Sequence, residues 1–115
     1  MAELDFQYQT IRCHVGNPLE IDVGRERFLH GPCVTRCRNG DYVVAYQDGL
    51  DDPGRESVIR QRRSTDGGVT WNDEGIVYDE SAEGFGARNP ALGQTPSGKI
   101  LMIVQRVGLR RLGQV

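Results

Sequence analysis

The sequence predicts an all-β protein built from antiparallel meander sheets. Glycine supplies 15 of the 115 residues without forming a low-complexity run, which implies many turns. No stretch of about ten or more residues shows the apolar periodicity of a helix. A strand–turn–strand pattern also occurs twice with the same internal spacing, which marks a repeated supersecondary unit.

The elements follow in chain order. The N-terminal part carries one or two weak strands, at 10–15 (TIRCHV) and 19–23 (LEIDV). Sliding the chain by 58 residues lays 30–48 on 88–106 without a gap. Pro32 then meets Pro90, Gly40 meets Gly98, and Gln47 meets Gln105. Each copy has a short strand after its proline and then a turn, Arg38-Asn39-Gly40-Asp41 or Pro96-Ser97-Gly98-Lys99. Asn-Gly and Ser-Gly supply the positive φ of a tight hairpin. A second strand follows, DYVVAYQ or KILMIVQ, apolar on both faces as expected between neighbouring sheets. The first copy continues through a polar loop at 50–56, a third strand at 57–63 and a fourth at 71–78. Four such strands in series make one meander sheet.

Composition excludes several classes of function. Apolar residues make up 37% and charged residues 26%, which suits a small globular unit and not a disordered chain. A net charge of −2 argues against a general nucleic-acid binder. The run Arg60-Gln61-Arg62-Arg63 puts Arg60 and Arg62 on one strand face and Arg63 on the other, as on a solvated outer strand. No apolar run reaches the roughly 20 residues of a membrane span. MAELDFQYQT has acidic residues and no apolar signal core, so a cytoplasmic location is expected. Cys33 and Cys37, four apart on an extended segment, stand roughly 13 Å apart, too far for a disulfide. With Cys13 they are expected to be free thiols. His14 or His30 next to these cysteines does not form a zinc spacing. No metal or cofactor is expected.

The most specific motif is Ser64-Thr65-Asp66-Gly67-Gly68-Val69-Thr70-Trp71. Asp66 is suited to accept hydrogen bonds from backbone N–H groups inside the turn. Gly67 and Gly68 tolerate left-handed dihedrals. The hydroxyls of Ser64 and Thr70 can tie the strand ends together, and the Trp71 ring can cover the hairpin mouth. These roles are structural.

That octapeptide fits S-x-D-x-G-x-T-W, and residues 31–78 resemble one blade of a sialidase-like β-propeller with its Asp-box, or bacterial neuraminidase repeat. Residues 88–106 resemble the first half of the next blade. The resemblance implies a six-bladed fold of which the chain holds one and a half blades. It places the Asp-box at the end of the blade away from the active site.

For chemistry, the resemblance implies three arginines clamping the sugar carboxylate, an aspartate acid/base, and a tyrosine nucleophile assisted by a glutamate. Guanidinium forks match a carboxylate. The first arginine stands in a Phe/Tyr-Arg-x-Pro motif at the start of an inner strand. Leu29-His30-Gly31-Pro32 puts His30 there, and Ala87-Arg88-Asn89-Pro90 puts Arg88 at the repeated position. Arg88, with His30, is thus the candidate substrate-binding residue, both aimed at one mouth. The acid/base candidates are Asp51, Asp52 and Glu56, in the loop after the second strand that also holds Asp48. Tyr42, Tyr46 and Tyr78 are expected to pack between sheets, and no tyrosine–glutamate pair is assignable.

The expected organisation is an N-terminal segment at 1–29, a complete blade at 30–80 and half a blade at 81–115. Either a longer chain supplies the remaining blades, or three copies close a six-bladed ring. Two functions compete: a sialidase-like exo-glycosidase on acidic sugars, or an N-terminal fragment of one, inactive alone; and a non-catalytic Asp-box propeller that binds glycan or protein.

Overall fold

The computed structural model describes residues 2–6, 9–13, 16–24, 26–50 and 57–108, the first two stretches by their backbone alone. The described residues are all-β apart from one 3-10 turn. Strands β1 (Ala2–Phe6) and β2 (Gln9–Cys13) form a hairpin. Strands β3 (Phe28–Arg36), β4 (Tyr42–Gly49), β5 (Val58–Ser64) and β6 (Asn72–Tyr78) form a four-stranded antiparallel meander. After the 3-10 turn (Ser81–Glu83), β7 (Phe85–Gln94) and β8 (Ile100–Gly108) form a second hairpin. The meander is consistent with a β-propeller blade.

β4 is the centre of the core. Its alternate residues Val43, Ala45 and Gln47 face the second hairpin, and all three are 0% exposed. Ala45, Ile59 and Ala87 pack together, with Tyr78, Leu92, Met102 and Val104 around them. The opposite β4 face is buried too, through Val44, Tyr46 and Asp48, as its two-faced apolar pattern predicts. β8 departs from that expectation. Met102 and Val104 are partly buried against the meander, but Leu101 and Ile103 are 55% and 67% exposed, as among the described residues no further sheet covers that side.

The repeat survives as geometry. His30 pairs with Gln47 and Arg88 with Gln105, and each strand then bulges before resuming at Cys33–Ala45 or Ala91–Ile103. The bulges contain Gly31 at φ 59° and Asn89 at φ 48°. Pro32 and Pro90, lacking an N–H, fall where the ladder is interrupted. The hairpin turns match as well: Cys37 N–H donates to Asp41 O at 2.8 Å, and Thr95 N–H to Lys99 O at 2.9 Å.

Several sequence expectations need correction. β3 and β7 begin before their prolines, because the bulge absorbs the proline inside the strand. Residues 19–23 are not a strand: Asp22 accepts the Gly24 N–H at 3.1 Å and turns the chain across the sheet. β1 was not foreseen, its sequence being short and polar. β5 is an interior strand, not an outer one. Among the described residues no helix is long and apolar enough to cross a membrane.

Candidate functional site

The antiparallel register sets two ends of the molecule apart. The starts of β3, β5 and β7 and the finishes of β4, β6 and β8 share one end. This end carries His30 and Arg88. The opposite end carries the hairpin turns and the Ser64–Trp71 turn.

At the first end, the two bulges abut: a Cβ on Gly31 would lie 3.1 Å from Asn89 Oδ1. His30 and Arg88 therefore stand at the same register position on neighbouring strands. The His30 ring lies 5.6 Å from the exposed Phe28 ring, tilted by 31°. Arg88 is half-buried, and its Nε has no hydrogen-bond partner. The candidates Asp51, Asp52 and Glu56 lie outside the described residues.

Asp48, grouped by sequence with that acidic loop, is instead a strand residue. It pairs with Arg27 Nε at 2.5 Å and with Arg60 Nε at 2.6 Å, one guanidinium on each carboxylate oxygen. This double pairing, with a side chain 6% exposed, commits it to structure. Next to it, Tyr46 donates to Asp22 Oδ2 at 2.7 Å and accepts from Arg62 Nε at 3.1 Å. Burial, reinforced by the Asp22 hydrogen bond, pushes the Tyr46 phenol up to about 12. Burial alone would raise Asp22, but Tyr46, the Gly24 N–H and Arg62 outweigh it and hold the carboxyl below its usual value. Arg60 and Arg62 are thus not a solvated patch.

The structure also brings together a tyrosine–glutamate pair that was not assignable from sequence. Tyr78 donates to Glu80 Oε1 at 2.7 Å, Arg106 Nε meets Glu80 Oε2 at 2.8 Å, and the Arg106 guanidinium lies 3.5 Å from the Phe85 ring centre. The Glu80 bond raises the Tyr78 phenol, and Tyr78 sits on the outermost strand. This cluster ties the second hairpin to the meander, with the Glu80 carboxylate shared between the Tyr78 phenol and Arg106.

Gln47 is a further feature that sequence did not expose. It is fully buried, and neither amide atom has a hydrogen-bond partner. Its repeat equivalent Gln105 accepts from Asn89 Nδ2 at 3.0 Å. In the first copy that asparagine is replaced by Gly31, which has no side chain to offer.

At the opposite end, the Ser64–Trp71 turn has the foreseen bonds. Asp66 Oδ1 accepts the N–H groups of Val69 and Thr70 at 3.1 and 2.9 Å, and Oδ2 accepts the Thr70 hydroxyl at 2.5 Å. Ser64 Oγ donates to Asp66 at 2.8 Å and accepts the Gly68 N–H at 2.8 Å. Trp71 Nε1 donates to Gly68 O at 3.0 Å. The Thr70 hydroxyl, then the Thr70 N–H and Ser64, draw the Asp66 carboxyl down to about 2. With its oxygens so engaged, Asp66 is a turn residue. Among the described residues no three His, Cys, Asp or Glu side chains cluster as a metal site. Cys33 and Cys37 are free thiols.

No family model matches the chain. A sialidase from Micromonospora viridifaciens is 42% identical over 59 residues, a stretch covering 47% of this chain and 9% of that protein. The match suggests a sialidase-like relationship and spans only a small part of the relative's length.

Proposed function

We propose that the chain is a sialidase-like glycan-recognition protein whose ligand mouth is the strand end bearing His30 and Arg88. The observation that carries this is the shared register of those two residues beside matching bulges on touching strands. Two such strands bring a cationic and a hydrogen-bonding residue to one end of the molecule, as an acidic sugar requires. The partial likeness to a sialidase supports the same ligand class. On this reading the meander is a propeller blade, the Ser64–Trp71 turn is its Asp-box, and Arg88 clamps a sugar carboxylate. Asp51, Asp52 or Glu56 would serve as acid/base in an exo-glycosidase. Further blades come from a longer chain, or from three copies closing a ring; light scattering on purified protein separates a three-chain particle from a monomer.

The non-catalytic alternative draws on one observation. Among the described residues the hydrogen-bonded tyrosine–glutamate pair, Tyr78–Glu80, sits at the end of the outermost strand, with Glu80 also held by Arg106. Glycan binding without turnover fits that placement.

NMR titration with sialic acid and glucuronate tests the mouth. Resonances around Arg88 and His30 should shift, and Arg88→Lys should weaken binding, since lysine keeps the charge but loses the planar fork. Equal binding by Arg88→Lys, or no shift there, overturns the proposal. Hydrolysis of a fluorogenic sialoside by this chain would decide for the enzyme over the binding protein.

A further inference from the structure

Residues 19–24 cross the charged face of the meander without forming a strand or helix. Of their apolar side chains, Leu19 and Val23 are 62% and 57% exposed, and Ile21 alone is half-buried against the sheet. Their polar anchor on the sheet is the Asp22 carboxylate, which accepts from Tyr46 Oη at 2.7 Å and lies 3.6 Å from an Arg62 terminal nitrogen. Cavities flank the segment on both sides. One of about 290 Å³ is lined by Leu19, Ile21, Leu29, His30, Val44 and Tyr46. Another of about 260 Å³ is lined by Asp22, Val23, Arg27, Asp48, Arg60 and Arg62.

We propose that residues 19–24 are a displaceable strap, and that Tyr46 and Arg62 beneath it form a carboxylate-binding site that Asp22 fills in place of an external carboxylate. The chemistry under the strap supports this. Arg27 and Arg60 each spend Nε on Asp48, Arg27 adds a terminal-nitrogen bond to the Asp48 carbonyl at 3.3 Å, and both guanidiniums, so fixed, line the second cavity. Arg62 spends Nε on Tyr46 and presents a terminal nitrogen to the carboxylate. With the strap lifted away, taking Glu20 along with Asp22, three arginines remain against Asp48 and Asp73, the latter 3.9 Å from Arg62 and half exposed. One positive charge is then uncompensated in a partly desolvated cleft, where a bound anion is favoured. A phenol donor next to a guanidinium selects a carboxylate, and the flanking cavities have room for a small sugar-sized body. The ligand class is therefore a monocarboxylate. Arg88 takes no part in this site, while His30 of the mouth lines the first of the two cavities.

The test compares the parent chain with Asp22→Ala, titrated with acetate and with glucuronate and followed by NMR at the Arg62 Nε–H and the Tyr46 backbone. Asp22→Ala should bind both at least about tenfold more tightly than the parent, and adding Arg62→Gln should abolish the gain. Arg88→Lys in the Asp22→Ala background should leave that gain intact, which separates this site from the mouth. Equal affinity in parent and Asp22→Ala, or a gain that survives Arg62→Gln, overturns the proposal. If Asp22→Ala is unfolded in buffer, acetate should restore its native spectrum and raise its melting temperature without affecting the parent; failure of acetate to do so also overturns it.

Discussion

Gly31 and Asn89 hold the same position on two neighbouring strands, both in left-handed backbone, and are in contact. A Cβ on Gly31 would meet Asn89 Oδ1 at 3.1 Å, and Gly31 itself has φ 59°. Gly31→Ala should therefore destabilise the fold by about 1–2 kcal/mol from backbone conformation alone, with the contact adding to it. Denaturant midpoints read this directly. Asn89→Gly should be tolerated by the backbone, because glycine adopts the same φ.

The same asymmetry leaves Gln47 buried with both amide atoms unbonded. A buried unsatisfied polar group costs about 1–3 kcal/mol, and an apolar side chain of similar shape removes that cost. Gln47→Met should raise the denaturant midpoint. A lowered midpoint would mean that the amide is satisfied in solution, by water.

Asp66 sets an acid limit on the turn end. Its folded carboxyl titrates at about 2 against 3.8 for the free side chain. A depressed acid contributes stability that is fully present above the unfolded value and is lost as pH falls through the folded one. The parent chain should therefore lose stability between about pH 4 and pH 2, beyond what other carboxylates cause. Asp66→Ala should be less stable at neutral pH, and its melting curve should change less across that window. Parallel curves for the two proteins would show that the turn bonds do not support the fold.

What sequence made legible was local or repeated. The Ser64–Trp71 turn is closed by bonds spanning four residues or fewer, so its residue types alone announce it. The 58-residue repeat showed that His30 and Arg88 correspond, and the two bulges bear that out. Distant partners decided what was misread. Arg60 and Arg62 look like a solvated basic run until β4 and the 19–24 segment bring Asp48 and Asp22 onto them. Asp48 looks like a loop acid because the apolar run stops before it, yet β4 extends to Gly49. Residues 19–23 have a strand's composition, and the hydrogen bonds of one carboxylate turn them into a crossing segment. Neither partner choice is a property of a short window, so no local pattern could have shown it.

Arg38 supplies the last prediction, because it links the two repeats at the turn end. Its backbone N–H donates to Gln94 Oε1 at 2.9 Å, while its guanidinium reaches Pro96 O at 2.5 Å and Thr95 O at 3.1 Å. These bonds span 56 to 58 residues and join one hairpin turn to the other. They are exposed, so water competes for them and each contributes modestly. Their effect should be positional: they fix the turn end of the β7–β8 hairpin, whose far end is fixed by Glu80 and Arg106. Arg38→Ala should speed amide exchange in β7 and β8 near residues 92–102 and leave β4 and β5 unchanged. Faster exchange spread evenly over both sheets would show that the two repeats open as one unit and that Arg38 is not the latch between them.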